Sequence, residues 1–340
     1  MSKLWIKNDV IDRLAMIQQT EHEHLGINEA AIEKDWWVSI TLKALFQTEC
    51  AGSLLFKGGT SLSKGFNLIE RFSEDIDLAI HHSYFGIDKT SKSQREKLRK
   101  LSRGYIHNTL SKQLDERLKA MGVEGYRIEN VTHIQKSNGE QYPIDSDKDP
   151  TVILLHYTSV LENVISYIPA RVKIEISCLS MDEPFEEREI KSFICSTFDE
   201  EDSGTKCKIK TVLPTRTFLE KLFLLAEEFQ KDNPRSLRMS RHLYDIEKIM
   251  DTSYGKDALC NRSLYESIIE HRRTYYALKY VNYDLLSPSS IDFIIPKQEY
   301  DLWKQDYANM QRFFIYGKSL DFEVLMQRMT ALQERLRVLE

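Results

Sequence analysis

The chain has 340 residues, 41% of them hydrophobic and 29% charged, and a net charge of -5. That length can bury a large core and favours two domains, or one with a helical extension, while the negative balance excludes a surface that coats nucleic acid everywhere. Any RNA or DNA contact therefore needs a local basic patch.

In chain order, Met1-Ser2-Lys3-Leu4-Trp5 lacks the charged head and apolar run of a secretory signal, and no apolar run is long enough to span a bilayer. The cytoplasm is the expected address. Cys50, Cys178, Cys195, Cys207 and Cys260 are odd in number and lack C-x-x-C spacing, which argues for reduced thiols and against a zinc site or a disulfide framework. Ala31, Trp37, Val38, Leu42, Leu45 and Phe46 recur at helical spacing and predict a helix over about 28–46. A strand follows Ala51-Gly52-Ser53, at Leu54–Lys57, and leads into Gly58-Gly59-Thr60-Ser61. Helical spacing is expected from about Leu62 to Glu70, and a strand from Asp75 to Ile80. Residues 89–119 read as a basic helical stretch, with ten Lys or Arg against three acids. Residues 132–149 are polar and turn-rich, marked by Ser137-Asn138-Gly139, and fit a loop or hairpin end. Further strands are predicted at Thr151–Leu155, Val172–Ser177 and Cys207–Val212. After Pro214 the pattern is helical to the last residue, apart from a short extended segment at Ile291–Ile295. There is no internal repeat. The expected partition is a catalytic domain over 1–213 and a helical domain over 214–340.

The chemistry concentrates at the glycine turn and the strand after it. In Asp75-Ile76-Asp77-Leu78-Ala79-Ile80 the apolar Ile76, Leu78 and Ile80 share one face, so Asp75 and Asp77 share the other. Paired carboxylates beside a loop rich in backbone N–H groups suit a divalent cation and phosphate. Gly58 and Gly59 permit close backbone approach, and Ser61 falls near a helix start. A tight turn beside a solvated strand edge is the plainer alternative, but strand, turn, helix and acidic strand in that order favour chemistry. The same alternation puts Lys173, Glu175 and Ser177 on one face of the Val172 strand. Glu175 is thus either a third acid, as metal ligand or general base, or part of an exposed face of alternating charge. Further on, Phe218, Leu222, Leu225 and Phe229 form an apolar helical stripe flanked by Lys221. That lysine is either a surface residue or a phosphate ligand on a packed stem. Arg241 and Asp245, four apart, are either a surface ion pair or cleft residues, and His242 reads as structural or solvent-facing.

These blocks in order resemble the AbiEii/AbiGii-type nucleotidyltransferase toxin family, a branch of the DNA polymerase β-like nucleotidyltransferase superfamily. The blocks are Glu33-Lys34-Asp35-Trp36-Trp37-Val38, Phe56-Lys57-Gly58-Gly59-Thr60-Ser61-Leu62, Arg71-Phe72-Ser73-Glu74-Asp75-Ile76-Asp77, Thr217-Phe218-Leu219-Glu220-Lys221-Leu222, Ser240-Arg241-His242-Leu243-Tyr244-Asp245, and the weaker Asp306-Tyr307 before Met310. The resemblance implies an α+β fold, with a polymerase β-like core of mixed sheet flanked by helices and a helical C-terminal domain that completes the active-site cleft. It implies that Gly58, Gly59, Thr60, Ser61 and Lys221 meet the nucleotide, that Asp75 and Asp77 hold Mg2+ (or Mn2+), and that Lys221 and Asp245 join the two aspartates as catalytic residues. Glu175 is a candidate third metal ligand on its strand face alone, since the resemblance does not require a third acid. The implied activity is transfer of NMP from an NTP to RNA, tRNA 3′ ends first among acceptors, by a toxin of a bacterial toxin–antitoxin or phage-defence system. The implied partner is a DNA-binding, AbiEi-like antitoxin. Nucleotidylation of a protein or small molecule, and a non-catalytic nucleotide-binding module, are the alternatives; retention of both aspartates argues against the last.

Overall fold

The computed structural model describes residues 3–24, 26–87, 91–135, 139–161, 168–179 and 184–337. Two helices open the chain. In α1 (Val10–Glu23) the Asp9 side chain caps the first turn at Asp12 N, and in α2 (Glu29–Leu45) Asn28 does the same at Ala31 N. Helix α2 is buried around most of its circumference, so the ring of apolar residues seen in its sequence marks a central helix rather than a surface one.

Strand β1 (Leu54–Lys57) runs into α3 (Gly58–Lys64), and β2 (Asp75–Ile80) returns antiparallel beside β1. The helix expected over 62–70 is displaced: α3 begins at Gly58 and closes at Gly65. Asn67 then takes a φ of 52°, which no continuing helix allows. Helix α4 (Lys92–Tyr105), a π-helical turn at Ile106–Leu110 and α5 (Ser111–Ala120) run on without a break in helical conformation. Leu98, Ser102, Ile106, Leu110, Leu114 and Leu118 are buried at a spacing of four. An α-helix drifts about 40° at each such step, and the extra residue of a π turn resets the face.

Strands β3 (Tyr126–Asn130), β4 (His133–Gln135), β5 (Gln141–Pro143), β6 (Thr151–Tyr157), β7 (Arg171–Ser177) and β8 (Phe185–Ile190) precede α6 (Phe193–Thr197) and β9 (Cys207–Val212). β4 and β5 form a separate exposed hairpin in the segment expected as loop or hairpin end. Lys89, Ser137 and Asn138, named in the sequence reading, lie outside the described residues. The main sheet has the order β3-β6-β7-β2-β1-β9-β8 and is mixed: β2 is parallel to β7 and β1 to β9, while β1–β2, β6–β7 and β3–β6 are antiparallel. On one face Phe56, Leu78, Ile76, Ile174, Ile176, Ile153 and Leu155 are all buried. There Trp37 of α2 stacks on Tyr157, with ring centres 5.0 Å apart.

A second set of helices follows: α7 (Pro214–Glu228), α8 (Ser240–Ile249), α9 (Ser253–Cys260), α10 (Arg262–His271), α11 (Tyr300–Phe313) and α12 (Phe322–Arg337). Residues 291–295 form no ladder; Phe293 N donates to Gln333 Oε1 instead. Helix α8 packs on α7, α11 and α12. Asp306 of α11 accepts from Ser240 N at 3.0 Å and Arg238 N at 2.6 Å, which caps α8 in trans. The chain forms two compact units, Met1–Gly65 with Ser73–Thr211, and Phe66–Phe72 with Val212–Glu340. The expected partition at 213 did not place Phe66–Phe72 with the helical residues. Backbone bonds tie that segment to them: Phe72 N to Phe314 O at 2.8 Å, and Tyr316 N to Glu70 O at 3.0 Å.

Candidate active site

In the sheet unit the site is built on the passage from β1 to α3. Gly58 has a φ of +81°, a conformation open to glycine and strained for other residues. A Cβ there would lie 2.8 Å from Asp77 Cγ and nearer still to Oδ2, so only a bare backbone can lie against this carboxylate. The bend is held from inside. Thr60 Oγ1 donates to the Asp75 carbonyl at 2.5 Å and pairs with Ser73 Oγ at 2.9 Å, and Ser61 Oγ donates to Gly58 O at 2.9 Å. Both residues are buried. Their hydroxyls therefore position the bend, which leaves backbone N–H groups of the first turn, Gly59 included, as the means by which it would meet phosphate.

Asp75 and Asp77 lie on the same, partly open face of β2, as the alternation predicts. Register brings Glu175 of β7 beside Asp77, and Lys173 beside Asp75. Glu175 Oε1 is paired with Lys173 Nζ at 2.6 Å. Burial, reinforced by the charges of Glu74 and Glu175 and opposed by Lys173 and Lys34, pushes the Asp75 carboxyl above its ordinary value. Such a crowd of acids gains by taking up a cation. Among the described residues no group of three His, Cys, Asp or Glu is arranged as a metal cage. The donor chemistry fits Mg2+ all the same, because that ion is commonly held by one or two carboxylates, with substrate phosphates and water completing its shell.

Within the helical unit, Lys221 and Asp245 are not the surface residues that spacing alone allowed. Asp245 is fully buried and both its oxygens are occupied. Arg71 Nε meets Oδ1 and Nη2 meets Oδ2, each at 2.7 Å, and Lys221 Nζ meets Oδ2 at 2.8 Å. Burial works against the Asp245 charge, but Arg71 and Lys221 together hold the carboxyl well below the usual range. Lys221 is pushed down by burial, with Asp245 pulling it up and Arg71 pushing it down again. The guanidinium is committed, since Arg71 Nη1 also donates to Phe72 O at 3.2 Å. The ammonium keeps further N–H donors for a phosphate. His242, also buried, is driven far below its ordinary pKa by desolvation and by Lys221 and Arg241, and stays neutral.

Arg71 is the residue the sequence reading passed over, quoted only within its block; its partner lies 174 positions away. Lys34 and Glu74 were missed as well, although three charges in a row (Glu33-Lys34-Asp35) inside an apolar helix were a visible signal.

The class this geometry defines is that of the nucleotidyltransferases, in which paired acids meet a phosphate-cradling bend. The family model described as "Nucleotidyl transferase AbiEii toxin, Type IV TA system" matches residues 40–328, and the chain belongs to that family. It is therefore a nucleotidyltransferase toxin of a type IV toxin–antitoxin system, with an NTP as substrate and a cognate antitoxin as partner. Among solved structures, MenT4, a nucleotidyltransferase toxin from Mycobacterium tuberculosis H37Rv, is similar at 15% identity and a TM-score of 0.44, over 95% of this chain and 99% of that one. No curated protein matches. Among the described residues no helix is long and apolar enough to cross a membrane.

Proposed function

We propose that this enzyme is a cytoplasmic toxin that transfers a nucleoside monophosphate from an NTP to the 3′ end of RNA, with tRNA as the acceptor, in a Mg2+-dependent reaction. The carrying observation is the contact of the Gly58 bend with Asp77, on the face that also bears Asp75. Asp75 and Asp77 are the metal ligands in this reading. A bound Mg2+ would neutralise phosphate charge and polarise the α-phosphate. The first-turn N–H groups of α3 hold phosphate oxygens. Lys221, oriented by Asp245, is in this reading a further nucleotide-binding and catalytic residue. The acceptor hydroxyl oxygen forms a bond to the α-phosphorus and gives up its proton to solvent water. The bond from that phosphorus to the β-bridging oxygen breaks, and pyrophosphate leaves. The RNA acceptor is supported by the basic helix Lys92–Ala120 in a chain whose net charge is -5. An AbiEi-like, DNA-binding protein is the proposed antitoxin, and phage defence the setting.

Sequencing of cellular RNA 3′ ends after induction tests the acceptor. Added nucleotides on tRNA are expected with the wild type and absent with Asp77→Ala. Unaltered RNA ends together with labelled protein or metabolite would move the acceptor to another class.

A further inference from the structure

Each half of the proposed metal and phosphate site is held from below by a buried charge on α2. Lys34 Nζ meets Glu74 Oε2 at 2.6 Å and donates to Pro169 O at 3.1 Å. Its next neighbour, Asp35, meets Lys64 Nζ through Oδ1 at 2.5 Å and accepts from Phe193 N at 2.8 Å through Oδ2. The side chains are 2% and 12% exposed in the first pair, and 6% and 7% in the second. Consecutive residues on a helix point about 100° apart, so one turn of α2 reaches two different elements. Lys34 takes the residue just before Asp75, and Asp35 takes the last residue of the helix that carries the glycine bend.

Packing alone does not call for this arrangement. Removing two charges from water costs several kcal/mol per ion, and apolar side chains of similar size fill such a space at least as well. Ion pairs at these positions add direction. Lys34 would repel Lys64, and Asp35 would repel Glu74, so only one assignment of partners satisfies both.

We propose that Lys34 and Asp35 are positioning residues that bracket the site, fixing the Asp75 end of β2 and the glycine-bend helix α3 relative to each other for metal and phosphate binding. The proposal rests on the nucleotidyl-transfer reading of Asp75, Asp77 and the bend. Neither residue touches substrate; each acts through its partner. Groups that orient metal ligands from behind typically control metal affinity and turnover by about 10–100-fold.

The test uses the full chain and the charge-free pairs K34M/E74Q and D35N/K64M, which leave no lone buried ion. Mn2+ binding is followed by the electron paramagnetic resonance of the free ion, alongside thermal midpoint, kcat and KM for NTP. The bracket predicts that both pairs fold with midpoints near wild type, bind Mn2+ about tenfold or more weakly, and lose kcat by a similar factor with KM changed less. Wild-type Mn2+ affinity and kcat in both pairs would overturn it. Should either pair fail to fold, K34R decides: a cation of different reach is expected to stay folded and weaken Mn2+ binding, and unchanged affinity and turnover overturn the proposal. A wild type that binds no Mn2+ and transfers no nucleotide overturns the underlying reading instead.

Discussion

Gly58 and Asp77 touch as backbone to carboxylate, one opening α3 just after β1 and the other paired across from Lys57 in β2. The proposed phosphate cradle and the proposed metal ligand are thus adjacent in space although 19 positions apart in the chain. Gly58→Ala should incur roughly 1–2 kcal/mol of left-handed backbone strain and push Asp77 aside. A displacement of about 1 Å at a reacting centre costs about a hundredfold in turnover. Gly86, at φ +65° with open space where a Cβ would go, is the control. Gly86→Ala should show the same backbone penalty in thermal melting and leave kcat alone.

Asp245 balances two buried cations, Arg71 and Lys221. Asp245→Ala leaves both without their shared counter-charge, and breaking a buried pair in this way costs about 3–5 kcal/mol. Urea unfolding of the full chain should show the loss. A change under about 1 kcal/mol would mean that the group is far better hydrated than its burial indicates.

The Lys221 ammonium loses its proton at a lower pH than the ordinary 10.5. In the proposed role of Lys221, the charge it offers an NTP therefore falls as pH rises through that lowered value. KM for NTP should climb on the alkaline side before an unperturbed lysine would titrate. Lys221→Met should raise KM roughly tenfold or more, the worth of about 1.5–3 kcal/mol for a charged hydrogen bond, and remove the alkaline limb. An identical limb in the variant would assign it to another group.

His242 sits neutral among Lys221, Arg241 and Arg71, with a folded pKa well below 6.5. In the unfolded chain it binds a proton near 6.5. Between the two values the unfolded state holds more protons, so its contribution is full above pH 6.5 and declines as pH falls, by about 1.4 kcal/mol per pH unit. His242→Leu should flatten the loss of unfolding free energy between pH 7 and 5.5. Parallel curves for the two proteins would show that the imidazole takes up its proton at the same pH in the folded and unfolded chains.

What could be read from the sequence was local. The two-residue alternation of Ile76, Leu78 and Ile80 put Asp75 and Asp77 on one face before any coordinates, and the order of apolar periods located α2, β2, β6, β7 and α7. Non-local placement could not be read. Glu175 is beside Asp77 because β7 pairs in parallel with β2, and no pattern in either strand states that choice of neighbour. Arg71 went unremarked outside its block, because its carboxylate partner is on α8. Some errors were local: α3 starts on Gly58-Gly59, the poorest of non-proline helix formers, and β8 escaped notice because Glu186, Glu187, Arg188 and Glu189 give an edge strand almost no apolar signal.

The central claim is that Asp75 and Asp77 hold the metal that drives nucleotidyl transfer, and α-labelled NTP with Mg2+ and total tRNA tests it most directly. Asp77→Asn keeps the volume that packs on Gly58 while removing the charge. The account predicts label on RNA with the wild type, none without Mg2+, and at least a hundredfold less with Asp77→Asn at an unchanged thermal midpoint. Transfer by Asp77→Asn at the wild-type rate would contradict it.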